Sequence, residues 1–426
     1  GGGGSVDTVA GNLSLGRTSA VANTGNTSAA AIELTINSGA QLFSTGNTSP
    51  ALMAQTIGGG GGFAASTTGT VQLGSGGSGT LNANASAGGI TWSNAAGGVV
   101  TENTATGVTA TEVPGISTSG NFSPAVVLQS IGGGGGYTTG GSSVSFSAAD
   151  HGGSSTTAGD IRVTNSGVIT TSGDNSFGML IQSIGGGGGV GGSSSGVVSL
   201  NNTNKDSGSG NIWLTNTGTI RTSGKGSHAV VAQSLAGGGG FVFGGVNKAS
   251  AHKALSTPSG TSGNLTYNNS GTISATGENA VALLFQTATG GAYLYQNPDG
   301  TVSNITEGST DTVQYTDEFT YDERQYVGAR AGEVKVINTG VIISSGEGGI
   351  GITKSTSAIS GNLNVVNEAG AVIQGGPGTD GAAIVLPTDT VEKVTNYGTI
   401  IGGSDGMHLK NTCARPCWSQ QDRDTC

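Results

Sequence analysis

The sequence predicts an all-β protein: a parallel β-helix (β-solenoid) of stacked three-strand coils with Gly-rich loops. Three observations predict it. First, a phrase ending in Gln-Ser-Ile and a run of glycines returns along the chain. It reads Ala51–Ile57 before Gly58–Gly62, Ala125–Ile131 before Gly132–Gly136, and Phe177–Ile184 before Gly185–Gly189. A fourth copy, Ala229–Leu235, precedes Ala236 and Gly237–Gly240, and a worn fifth, Ala280–Thr287, keeps only Gly290 and Gly291. The glutamines fall at 55, 129, 182, 233 and 286, so the intervals are 74, 53, 51 and 53. Such a period marks a repeat protein.

Second, each phrase has a fixed upstream partner, as in Ile161–Gly173 and Ile212–Gly224. The partner returns at Leu265–Gly277, Val334–Gly346, Leu363–Gly375 and Val391–Gly402, after the glycine phrase has faded. One unit is therefore three short β-branched runs separated by Asn-x-Gly and Thr-Ser-Gly. Runs of that kind, bounded by Gly, Asn and Ser, are strands and turns. Glycine supplies positive φ at corners, and asparagine tolerates the left-handed region and can bond along a stack of turns. Three strands and three corners predict a coil of roughly 20 to 25 residues.

Third, the 426 residues include 83 glycines but only 5% aromatic and 9% charged side chains. A globular core of this length needs more large apolar groups. Coils that bury side chains only against two neighbours do not. The rival for so much Gly and Ser is disorder, but linkers do not bring β-branched alternation back in register.

Taken in order, residues 1–292 read as solenoid carrying the glycine repeats. Less regular coils lie between the phrases, at Thr70–Leu73, Ser143–Phe146 and Val197–Leu200. The long first interval holds Ile90–Ser93 and Val99–Glu102, enough for one extra coil. Residues 293–330 break the pattern with an acidic, tyrosine-rich insertion. Its Tyr315, Asp317, Glu318, Tyr321, Asp322 and Tyr326 form a candidate partner-contact loop, since loops on a rigid scaffold carry recognition; the alternative is a solvated hairpin that interrupts the coil. Coils resume over 331–411, and 412–426 is an irregular tail with Cys413, Cys417 and Cys426. Those cysteines allow one disulfide with a thiol left over, a metal site, or no site chemistry, and their spacing matches no zinc pattern. A body free of cysteine up to that tail suits export through an oxidising compartment. The opening Gly1–Gly4 resembles the end of another glycine run, so the chain reads as a fragment whose export signal and anchor lie outside it.

The glycine phrase carries its own physical problem. Its strand alternates Val126, Leu128 and Ser130 with Val127, Gln129 and Ile131, so both faces are largely apolar and both need cover. The glycine run can supply it by packing backbone against the outer face, or it can be a flexible spacer. Buried glutamines need partners: one another, loop carbonyls, or a ligand bound along the row.

Motifs for chemistry are sparse. Gly192–Gly196 satisfies G-x-S-x-G only through local Gly/Ser composition. His151, His228, His252 and His408 show no metal-ligand spacing. The segment Gly375–Ala383 approaches a calcium nonapeptide in one copy, where stacked repeats are required. No cofactor is expected. Net charge is −10 without a basic stripe, which argues against nucleic acid, and no apolar run is long enough to span a bilayer.

The phrase Gln182–Gly189, preceded by Asn-x-Gly-x-Ile and Thr-Ser-Gly, resembles the passenger-domain repeats of large autotransporter proteins of Gram-negative bacteria. The resemblance covers about residues 1–411 and is strongest at 161–240. It implies a parallel β-helix, secretion by the type V route, and display outside the outer membrane in attachment or biofilm formation. The expected partners are a host-cell, matrix or glycan ligand, or further copies of the chain, with no catalysis. The alternative from another class is a secreted carbohydrate-binding or polysaccharide-cleaving solenoid enzyme. Such an enzyme needs carboxylates converging from adjacent coils, and outside 293–330 the acidic residues stand alone.

Overall fold

The structure is a computed structural model. It describes residues 3–6, 12–15, 27–65, 68–74, 84–104, 107–141, 143–147, 156–194, 197–201, 207–243, 248–250, 260–289, 292–304, 331–355, 361–387, 392–403 and 405–410. Every regular element among them is a strand. Three parallel sheets of eight strands each form the walls of a solenoid. One coil contributes Ile161–Asn165 to wall one, Val168–Thr171 to wall two and Met179–Ile184 to wall three. Register is kept residue for residue: Ile161 pairs with Ile212, Ile169 with Ile220, and Gln182 with Gln233. The fold class is thus the parallel β-helix that the repeats predict.

Coil size differs from the expectation. Equivalent wall-one asparagines lie 51 or 53 residues apart through the glycine repeats, and 29 apart after residue 331. The full glycine repeat is therefore one coil, about twice the expected length. The additional residues form two further layers. The glycine runs are strands, not loops: Gly61–Ala64, Gly134–Gly141, Gly187–Ser194 and Gly238–Val242 pair in parallel in their own sheet. The runs first read as less regular coils, Thr70–Gly74, Ser143–Ser147 and Val197–Asn201, form an outer sheet beyond it.

This layering answers the problem of the doubly apolar strand. Inside the three walls, Val126, Leu128, Met179, Ile181, Ile220 and Ile273 share the main core. On the opposite face of wall three, Val127, Leu180, Val231 and Leu284 pack against Tyr137, Val190, Phe241 and Leu294 of the glycine sheet. Each large side chain buried this way is worth roughly 1.5–3 kcal/mol. A third cluster joins Ala64 and Val242 of the glycine sheet to Val71, Leu73, Val144 and Phe146 of the outer sheet.

Glycine is required in this layer for a reason beyond packing. Gly135 and Gly188 have φ of 141° and 156°, in the half of the map that side chains disfavour. A Cβ on Gly135 would lie 1.9 Å from the Gly188 carbonyl oxygen, and one on Gly188 would lie 1.9 Å from that of Gly239. The Cβ would therefore point along the sheet into the next strand.

Two further differences concern the insertions. The long first interval holds no extra coil: Gly97–Thr104 and Gly107–Pro114 form an antiparallel hairpin at the corner between walls one and two. Antiparallel pairing needs only a tight turn, whereas a new coil needs three parallel crossovers. Ordered backbone also runs past 292, because Ala292–Gln296 adds to the glycine sheet and Val302–Asn304 turns back antiparallel on it. Residues 305–330 lie outside the described residues.

Candidate functional site

The buried glutamine and asparagine ladders and the wall-three serines bond from coil to coil, whereas the Trp92 Nε1 and the Tyr267 hydroxyl are buried without a hydrogen-bond partner among the described residues. Gln55, Gln129, Gln182, Gln233 and Gln286 form one ladder, each Nε2 donating to the next Oε1 at 2.6–2.7 Å. The second hydrogen of each central amide goes to a glycine-sheet carbonyl, those of Gly136, Gly189 and Gly240. Gln129, Gln182 and Gln233 are fully buried. From Gln129 to Gln233 the row therefore has no face for a ligand, and of the three partners considered for the glutamines, one another and the carbonyls of the glycine run are the two seen.

A second ladder runs through the Asn-x-Gly corners. Asn94, Asn165, Asn216, Asn269, Asn338, Asn367 and Asn396 are linked Nδ2 to Oδ1 at 2.8–2.9 Å. Asn165, Asn216, Asn269 and Asn338 each also donate to the carbonyl of the glycine two residues on. Ser130, Ser183 and Ser234 stitch the far end of wall three to the backbone of the returning chain. Paired buried amides and hydroxyls are stabilising, and each orphan they prevent would cost about 1–3 kcal/mol.

Two buried ionisable features stand outside the ladders. The His228 imidazole stacks on Phe177 with ring centroids 5.1 Å apart, beside Phe241 and Phe243. Its Nδ1 accepts the Val281 N–H at 2.9 Å, so the neutral tautomer carries its proton on Nε2. Burial holds its pKa down to about 3. Where the glutamine ladder stops, Gln286 donates to Ser355, and the neighbouring Lys354 turns into the core in register with Phe285. The Lys354 ammonium meets Glu392 at 3.1 Å and donates to the Gly361 carbonyl, while the Leu363 N–H donates to the same carboxylate. Both side chains are almost completely buried.

Chemistry free to meet a partner lies on the outer face of wall one. One outward row reads Glu33, Thr91, Arg162, Trp213, Thr266, Lys335, Asn364 and Lys393, each in register with the next. A parallel outward row brings Thr164, Thr215 and Asn268 alongside. The Arg162 guanidinium lies over the Trp213 ring, 3.7 Å from its centroid. Asp160 is 3.6 Å from Arg162, beyond hydrogen-bond range. Lys335 and Lys393 are exposed and have no ion-pair partner among the described residues. This pattern was visible in the sequence only as one Arg and one Trp at the same place in successive repeats. It becomes a row once the coil length is known.

The other sequence candidates fare variously. Tyr315, Asp317, Glu318, Tyr321, Asp322 and Tyr326, and Cys413, Cys417 and Cys426, lie outside the described residues. So do His151, His252 and Ser195. The Gly375–Gly381 stretch is a corner closed by the Gly381 N–H on the Gly378 carbonyl. Among the described residues no three His, Cys, Asp or Glu side chains converge as metal ligands, and no helix is long and apolar enough to cross a membrane. No family model, curated protein or solved structure matches the chain.

Proposed function

We propose that the chain is the passenger-type solenoid of a surface-displayed bacterial protein, acting as a stalk or adhesin in attachment or biofilm formation, without catalysis. The observation that carries this reading is the division of labour between the two surfaces of the walls. Inside, the glutamine and asparagine amides and the wall-three serines hold coil on coil. Outside, rows of Thr, Asn, Lys and Arg repeat along the stack, which suits contact with an extended ligand over many weak points. The autotransporter-like phrase in the sequence supports display outside the cell. The test is a glycan and matrix-protein array with the purified chain, run beside a polysaccharide-cleavage screen. Attachment without cleavage is expected. Release of oligosaccharides from any substrate would establish the enzymatic alternative instead.

A further inference from the structure

We infer that the outer face of wall one between Arg162 and Lys393 binds an acidic polysaccharide lying along the solenoid axis. The proposal rests on the adhesin reading above and names its site and ligand class. Three observations carry it.

The first is an exposed cation over an aromatic ring, whose one ion pair among the described residues, with Asp160, is 3.6 Å long and leaves its N–H groups without a hydrogen bond. The Arg162 guanidinium carbon sits over the Trp213 ring, 3.7 Å from its centroid, and a cation–π contact positions a guanidinium without using up its N–H donors. A guanidinium so positioned is suited to the paired oxygens of a carboxylate or sulfate.

The second is the placement of positive charge. The chain carries a net charge of −10, yet the outward row from Arg162 onward holds three cations and no acid. Asp160 and Glu333 precede the strands at the corner, and Glu33 stands at the head of the row. At about 4.8 Å per coil, Lys335 lies about 14 Å and Lys393 about 24 Å beyond Arg162. Charges so widely spaced suit a polymer with one anionic group per few sugars. A nucleic acid presents a far denser phosphate array and would be repelled by the rest of the surface.

The third is what lies beside the cations. Thr164, Thr215 and Asn268 form an adjoining outward row, and Thr266 and Asn364 fill the places between Trp213, Lys335 and Lys393. The hydroxyls of Thr164, Thr215 and Thr266 and the Asn268 amide are donors and acceptors for sugar hydroxyls, while beside Lys335 and Asn364 the adjoining row continues as Ile337 and Val366 and offers apolar contact to a sugar face. The anionic group can be a uronate carboxylate or a sulfate ester, and the experiment separates the two.

The test measures binding of the whole chain to partly methyl-esterified polygalacturonate and to sparsely sulfated dextran, each with one anionic group per few sugars, and to neutral dextran and single-stranded DNA. Binding to at least one acidic polysaccharide is expected, weakening as salt rises from about 50 to 200 mM. Arg162→Gln, Lys335→Gln and Lys393→Gln are each expected to lower affinity by about two- to five-fold, in line with exposed charge contacts, and the triple variant by more than any single one. Trp213→Leu should match Arg162→Gln, because it frees the guanidinium, whereas Trp213→Phe should retain most binding. Arg221→Gln, on the outer face of wall two, should change nothing, and circular dichroism checks that each variant keeps its strand content. Equal loss from Arg221→Gln, equal binding of neutral dextran, or preference for DNA would overturn the proposal. Attachment of the chain to an array ligand with no affinity for either acidic polymer would overturn the site and leave the adhesin reading standing. No attachment to any surface ligand would sink both.

Discussion

Residues 32–304 and residues 331–410 share the same three walls and one unbroken asparagine ladder, and they differ in how the third wall is covered. In the wide coils the outer face of wall three is buried under the glycine sheet, and the glutamine ladder runs between the layers. Among the described residues of the narrow coils no strand joins that sheet, and Ile350, Thr353 and Val385 on the same wall are only half-buried. The glutamine ladder ends at the changeover, while the asparagine ladder crosses it through Asn269 and Asn338. The difference teaches which device belongs to which task. The Asn-x-Gly corner makes the coil. The glutamine ladder and the second layer end on the same coil, at Gln286 and at Ala292–Gln296. At the step, the buried Lys354–Glu392 pair links wall three to the start of the next wall-one strands, a link that Ser130, Ser183 and Ser234 make in the wide coils.

The comparison can be broken most severely at that pair. Lys354→Met leaves the Glu392 charge buried without its partner, and should cost about 3–5 kcal/mol, read as lost hydrogen-exchange protection in the narrow coils. Adding Glu392→Leu should restore part of it. A single variant as stable as the parent would show that the pair does not hold the step.

Next comes glycine in the two halves. Gly188→Val should destabilise the wide coils by about 3 kcal/mol through strain and overpacking, since its Cβ has a carbonyl oxygen at 1.9 Å. Gly370, a narrow-coil corner at φ 82° with nothing within 4 Å of its Cβ, should lose only about 1 kcal/mol on replacement by Ala. Equal losses would mean that the glycine sheet is a spacer after all.

Acid should also separate the halves. His228 has its folded pKa lowered to about 3 from 6.5. The unfolded chain therefore binds the proton first, and the stability that depends on neutral His228 is complete above pH 6.5 and lost as pH falls toward 3. At pH 5 the loss is about 2 kcal/mol, at about 1.4 kcal/mol per unit. Hydrogen exchange around Phe177, Phe241 and Phe243 should quicken there first. If His228→Asn, which keeps an acceptor for Val281, is equally acid-sensitive, the histidine is not the cause.

The ladder gives the last test. Gln182→Leu takes a partner from a Gln129 donor, the Gln233 acceptor and the Gly189 carbonyl, and should cost about 1–3 kcal/mol for each group that finds no other partner, confined to the wide coils. A loss spread equally over both halves would show that the ladder is not specific to the second layer.

The fold was legible because the corners carry it: Asn165-Ser-Gly167 and Thr171-Ser-Gly173 name the turns, and β-branched runs between them name the strands. The doubly apolar run Met179–Ile184 even required a cover, which the glycine sheet supplies. Coil length was misjudged because Gly187–Gly189 has no side chains, so no alternation betrays a strand. Val99–Glu102 looked like a coil strand because composition does not distinguish antiparallel from parallel pairing. The wall-one row was hidden for a related reason. Arg162 and Trp213 are 51 residues apart, and become neighbours only once that number is the length of a turn. Lys354 and Glu392 gave no signal, since two lone charges in a sequence do not disclose a shared burial.

The two amide ladders have a sense of direction. In both, every side-chain NH2 group is given to the coil that follows, from Gln55 to Gln129 and from Asn94 to Asn165 onward. The carboxamide dipoles therefore all point one way along the axis, and aligned amides polarise one another cooperatively. Cut anywhere, the stack shows carbonyl oxygens on one side of the break and amide protons on the other. An incoming coil meets a surface of one chemical sign and can add in a single orientation. An inverted coil would set acceptor against acceptor. The rod is thus vectorial at each layer, and a coil already in place acts as a template that rejects a neighbour laid down backwards.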